Sequence, residues 1–111
     1  MASIFDALSD PNRRLILDLL LERPRMVGEL VHQLGISQPG VSKHLRVLRE
    51  VGLVSVRKDA QRRVYELRTE PLEELDEWLD AYRHLWDERL DRLALYLKEL
   101  QDKENDDGTD E

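Results

Sequence analysis

Residues 27–52 read VGELVHQLGISQPGVSKHLRVLREVG, and the fold turns on how this stretch is read. Val27, Leu30, Val31 and Leu34 recur at helical spacing. Gly35, just past the last of them, reads as a helix-ending residue, because glycine enters the left-handed region without steric cost. Ser37 offers an oxygen cap to a second helix, with Pro39 in its first turn. Val41, Leu45 and Leu48 form that helix's apolar stripe, and Gly52 stops it. The connector Gly35-Ile36-Ser37 has the length a helix-turn-helix requires.

On a wheel of about 3.6 residues per turn, Pro39, Ser42, Lys43, Arg46, Arg49 and Glu50 fall opposite the apolar stripe. The N-terminal part of the second helix of such a motif enters the major groove. That places Gln38, Ser42, Lys43 and Arg46 near base edges and phosphates. Glutamine pairs bidentately with adenine, and arginine or lysine with guanine. Ser42 is short enough to permit close approach, and Ser37 with the free N–H groups of the helix start can hold a phosphate. His44 turns toward the apolar side and is expected to pack or cap; His32 is expected at the surface or boundary. A merely solvated amphipathic helix shows the same pattern, so the neighbouring segments decide.

Upstream, Asp10-Pro11 starts a helix carrying Leu15, Ile16, Leu19 and Leu20, which Pro24 ends. A shorter helix with Ile4, Phe5 and Leu8 precedes it. Arg13 and Arg14 sit at a helix N-terminus, where the helix dipole disfavours cations; pairing with acids and contact with a phosphate both remain open for them. Downstream, Val54 and Val56 alternate with Ser55 and Arg57, and Tyr65 and Leu67 with Val64 and Glu66, which predicts a two-stranded hairpin. Its turn near Asp59, Ala60 and Gln61 lacks glycine, so a loose loop is expected. Arg57, Lys58, Arg62 and Arg63 crowd the tip and suit a minor groove or flanking phosphates, although charge also protects an exposed sheet edge.

A long helix is predicted over 70–100, with Pro71 near its start. Leu72, Leu79, Trp86, Leu93 and Leu100 recur every seven residues, and Leu75, Tyr82 and Tyr96 fill a second seam that Arg89 interrupts. Trp78, Leu85, Leu90 and Leu97 widen the stripe beyond what a small body can cover, which calls for a partner helix. Asp80, His84 and Glu88 stand at i, i+4 and i+8 but away from the seam, and read as a solvated face rather than a metal site. Residues 1–101 form one domain in this reading, and the acidic residues 102–111 a disordered tail.

The net charge of −7 argues against a nucleic-acid partner until its distribution is drawn. Residues 37–68 carry eight Lys/Arg against three acids, a net +5, whereas residues 69–111 carry five against sixteen, a net −11. The basic block thus unites the second helix of the motif with the hairpin. With no cysteine in the chain, disulfides, thiolate metal sites and cysteine nucleophiles are excluded. No apolar run approaches the roughly 18 residues of a membrane span. The start MASIFDALSD lacks a basic region followed by an apolar run, so no signal peptide is expected and the cytoplasm is the expected compartment. No Gly-rich phosphate loop, activated nucleophile or paired carboxylate in an apolar setting suggests an enzyme.

Three segments, ALSDPNRRLILDLL (7–20), VGELVHQLGISQPGVSKHLRVLREVGLV (27–54) and RRVYELR (62–68), in this order closely resemble the arsenic-repressor (ArsR) family of transcriptional regulators, over roughly residues 4–100. The resemblance implies a mostly α fold with a small β-hairpin, a winged helix-turn-helix with a long C-terminal dimerisation helix. It implies a homodimer that binds an imperfectly palindromic operator in double-stranded DNA as a repressor. It also implies an interface of first and last helices, here Ile4, Phe5, Leu8, Leu72, Leu75, Leu79, Tyr82, Trp86 and Leu93. Metal-sensing members often carry cysteines in the helix matching VGELVHQL, or Asp/His clusters on the last helix. This chain has neither pattern, so no metal or cofactor is expected, and whether a small-molecule or metal effector exists stays open. Met26 stands where relatives often have a hydroxyl able to cap the helix reciprocally with Glu29. Two other readings remain: a winged-helix protein-interaction module using the aromatic last helix, and an effector-sensing variant of the same regulator.

Overall fold

The computed structural model describes the backbone of residues 3–108 and the side chains of residues 3–104. The chain divides into two compact units, Met1–Leu75 and Asp76–Glu111. The first holds α1 (Ile4–Leu8), α2 (Pro11–Glu22), β1 (Arg25–Met26), α3 (Val27–Leu34), α4 (Gln38–Glu50), β2 (Val54–Asp59), β3 (Arg62–Leu67) and the start of α5 (Leu72–Gly108).

Local chemistry sets most of these bounds. Asp10 caps α2, its carboxylate accepting from the Asn12 and Arg13 N–H groups at 2.8 and 3.2 Å. Gly35 ends α3 at φ 67°, and Ser37 Oγ caps α4 by accepting from Gly40 N–H at 3.2 Å. Met26 gives α3 no side-chain cap. Glu29 supplies half of the reciprocal arrangement, its carboxylate accepting from the Met26 N–H. The bond from Arg23 and the charges of Arg23 and Arg25, with that N–H, hold the Glu29 carboxyl below its ordinary value.

The core of this unit collects Ile4, Ala7, Ile16, Leu20, Leu30, Val41, Leu45, Leu48, Leu53, Val54 and Tyr65, drawn from every one of its elements except β1 and α5. Val41, Leu45 and Leu48 are at most 1% exposed, so α4 is fixed in rotation and its polar face is turned to solvent. Ile4, expected at the interface with a second copy, is buried in this core within the single chain.

The sheet differs from expectation in two ways. It has three strands, in the order β1-β3-β2, because Arg25 and Met26 pair with Tyr65 and Val64. The turn is also tight: Asp59 pairs with Arg62, leaving only Ala60 and Gln61 between the strands. Ala60 takes the left-handed conformation that glycine usually supplies, at φ 58°. The β1 residue Arg25 is a buried cation. Its Nε donates to Leu19 O at 2.9 Å, and its guanidinium meets Glu22 at 2.6 Å and Glu29 at 3.8 Å, as a buried charge requires.

The second unit is the α5 helix from Asp76 on. Trp78, Tyr82, Leu85, Trp86, Leu90, Leu93, Tyr96, Leu97 and Leu100 are all exposed along it. Trp78 and Tyr82 stack obliquely at 5.0 Å between centroids, and Arg83 pairs with Asp76 at 2.5 Å. The helix continues to Gly108, past the expected end near Leu100. Gln101, Lys103 and Glu104 are good helix formers, and the first glycine after them is Gly108. The tail expected from residue 102 thus begins on helical backbone, and residues 109–111 lie outside the described residues.

Candidate nucleic-acid interface

With the apolar stripe of α4 buried, Gln38, Ser42, Lys43, Arg46 and Arg49 are exposed together on its other side. The N-terminus of α4 is closely built. A Cβ at Gly40 would stand 3.2 Å from Ser37 Oγ, so a side chain there would crowd the cap. His44 is half-buried, its Nδ1 3.5 Å from Arg13 Nη1, which puts it on the structural side of the helix as expected.

Arg13 and Arg14 are engaged by the backbone of α1. Arg13 donates from Nε to Ala7 O at 2.7 Å and from Nη2 to Asp6 O at 2.8 Å, and Arg14 donates from Nη1 to Leu8 O at 2.7 Å. Both guanidinium groups meet the last carbonyls of α1, and the Asp6 carbonyl also accepts from the Ser9 N–H at 3.2 Å and the Ser9 hydroxyl at 2.6 Å. Burial alone would raise the Asp10 carboxyl. The bonds from the Arg13 and Asn12 N–H groups and the charges of His44 and Arg13 outweigh it, and hold the carboxyl below its ordinary 3.8.

The β2–β3 register divides the four hairpin cations. Val54, Val56 and Lys58 lie opposite Leu67, Tyr65 and Arg63, so by strand alternation these six share one sheet face. Tyr65 and Val54 are buried on that face. Arg57 and Arg62 belong to the other face. Arg57 is bonded through Nε to Glu66, and this bond and the Glu66 charge raise its already high pKa. Arg68 braces the strand ends by donating to Ser55 Oγ at 3.0 Å.

Between α4 and the hairpin runs a cleft in two sections. One, of about 200 Å³, is lined by Ser42, Leu45, Arg46, Arg49, Arg63 and Tyr65. The other, of about 310 Å³, is lined by Arg49, Val56, Arg57, Lys58 and Arg63. Ser42 and Arg46 of the helix and Arg57, Lys58 and Arg63 of the hairpin, nominated separately, thus border one continuous surface. Ser37, Gln38 and Lys43 extend it along α4, and Arg62 lies on the far side of the hairpin. Arg49 joins both sections and was passed over, although the helical wheel had put it on the same side as Ser42 and Arg46.

Of the residues nominated for a second interface, Phe5, Tyr82, Trp86 and Leu93 are exposed, and Leu75 and Leu79 are half-buried. Leu8 and Leu72 line an open apolar groove of about 360 Å³ together with Leu17, Leu21 and Leu53. Among the described residues no three His, Cys, Asp or Glu side chains are grouped closely enough to hold a metal ion. No helix among them is long and apolar enough to cross a membrane.

Residues 10–56 match the family described as "Bacterial regulatory protein, arsR family". The chain is 40% identical over 103 residues to the HTH-type transcriptional regulator Rv2034 of Mycobacterium tuberculosis, covering 93% of this chain and 90% of that one. It belongs to the arsR family. It is also 35% identical to the transcriptional repressor SdpR of Bacillus subtilis over 79 residues, 71% of this chain and 88% of that protein. A solved structure titled "Possible transcriptional regulator for arsenical resistance" superposes with a TM-score of 0.67 at 34% identity, covering 86% of this chain and 96% of the other. This arsR-family chain is accordingly a DNA-binding transcription regulator with the winged-helix fold, and its relatives are regulators rather than enzymes.

Proposed function

We propose that the chain is a repressor that acts as a homodimer on an imperfectly palindromic operator in the cytoplasm. Each α4 would present Gln38, Ser42, Lys43 and Arg46 to a major groove, with the two half-sites about 34–36 Å apart. The observation that carries this reading is the shared surface of α4 and the hairpin. In a chain of net charge −7, the exposed side of α4 and the cationic hairpin face border one cleft. Localised positive charge on an acidic protein confines DNA to that face and makes binding sensitive to salt. Dimerisation is supported by the large apolar side chains exposed along α5, at seven-residue spacing through Trp86, Leu93 and Leu100.

Incubating the purified protein with genomic fragments should recover a set that shares an inverted repeat. Arg46→Ala should weaken binding to that sequence about 10–100-fold, the discrimination carried by one good base contact, and weaken binding to unrelated DNA much less. Equal recovery of all fragments by the unmutated protein would overturn the reading.

A further inference from the structure

We propose that the cleft between the C-terminal half of α4 and the hairpin seats a single phosphodiester of the DNA backbone, held by Arg49, Lys58 and Arg63. The proposal rests on the DNA-binding reading above and gives these three residues a role distinct from base recognition.

The first observation is the register. Lys58 stands directly opposite Arg63, and like charges in that position repel. A one-residue slip would separate them, but it would also turn Tyr65 and Val54 out of the core, so the pairing is fixed by burial elsewhere on the same face. That face packs toward α4, and Arg49 lines the cleft from the helix side. Three elements therefore bring three cations to one place.

The second observation is what surrounds them. The lining is Arg49, Val56, Arg57, Lys58 and Arg63, with no acidic side chain among them. Arg57 is already bonded to Glu66. Glu66 shares its face of the sheet with Ser55, to which it is paired, and Arg68 braces it from 4.0 Å. No ion pair engages Arg49, Lys58 or Arg63 among the described residues. Val56 is half-buried and gives the cleft an apolar floor, which strengthens the attraction between the cations above it and an anion. A group with several anionic or acceptor oxygens in a compact volume matches this arrangement, and phosphate is the group DNA presents at its groove edges. Arg46 and Ser42 border the adjoining section of the cleft, so a strand seated at Arg49 would run past the residues that read the groove.

The test is the salt dependence of DNA binding. For the unmutated protein, log affinity is plotted against log salt for its operator and for unrelated DNA. Arg49→Ala should lower both affinities by the same factor and make each slope shallower by about 1, as loss of one phosphate contact predicts. Lys58→Ala should do the same, and Arg49→Lys should keep most of the slope. All three positions are exposed, and an unchanged circular dichroism melt confirms that each variant folds. Slopes unchanged in both alanine variants, with operator preference intact in the parent protein, would overturn the seat and leave the DNA-binding reading standing. A parent protein without operator preference would instead bring down that reading. A site for free phosphate would also overturn the proposal. It would show as a melting midpoint raised by inorganic phosphate without DNA and lost in Arg49→Ala, with the DNA slopes unaltered.

Discussion

Helices α4 and α5 are both amphipathic, and they dispose of their apolar residues in opposite ways. Val41, Leu45 and Leu48 of α4 are enclosed by the unit they belong to, and what the helix offers outward is Ser42, Lys43, Arg46 and Arg49. From Trp78 onward α5 exposes its tryptophans, its tyrosines and every leucine except the half-buried Leu79. A helix whose apolar side is satisfied at home can display only polar chemistry, which suits a polyanion. A helix with exposed apolar seams recognises other apolar surface. Charge follows the same division, with the basic block in residues 37–68 and the acidic excess in residues 69–111.

This contrast can be broken most severely from the α4 side. Leu45→Ala removes a side chain only 1% exposed at the centre of the first unit. It should cost about 2–5 kcal/mol of stability, as large-to-small core substitutions do, read from denaturant unfolding followed by circular dichroism. Trp86→Glu tests the α5 side. Trp86 is 61% exposed, so the chain should stay folded, while self-association weakens by about 2–4 kcal/mol, the scale of an interface tryptophan. Sedimentation showing the same dimer in the variant would remove Trp86 from the interface, and a monomeric parent would remove the interface itself.

A smaller effect isolates the stability of the first unit. Because the folded Asp10 carboxyl lies below its ordinary 3.8, its capping contribution is full above the unfolded value and lost as pH falls through the folded one. Asp10→Ala should therefore lower stability by about 0.5–2 kcal/mol near neutrality. The two proteins should converge in acid melts once the carboxyl is protonated, and a difference that persists there would assign the loss to packing rather than to the charged cap.

The helix-turn-helix was legible because its punctuation is local: Gly35 and Ser37 fix the ends of α3 and α4 through their own backbone and side chain. Strand β1 was not, since two residues carry no period and Arg25 and Met26 become a strand only by meeting Tyr65 and Val64 some forty positions away. Ala60 hid the tight turn by adopting a conformation its side chain disfavours. That omission also hid how the four hairpin cations divide, because turn length sets register, and register decides that Lys58 and Arg63 share a face while Arg57 and Arg62 take the other. The exposed face of α4 needed only the wheel, and there Arg49 was visible but unused.

Helix α1 has five residues, and its two ends are closed differently. Ser3 and Asp6 bond reciprocally across its first turn. Its last carbonyls are met by Arg13 and Arg14 of the following helix, and Arg13 also reaches His44 on α4. The instruction for where α1 stops is thus shared between its own cap, Ser9, and the helix that follows. Within IFDAL, Ile4 and Ala7 are held by the core and Asp6 by the cap, while loss of Arg13 would remove two bonds at the end of one helix and a lateral contact of another in a single step.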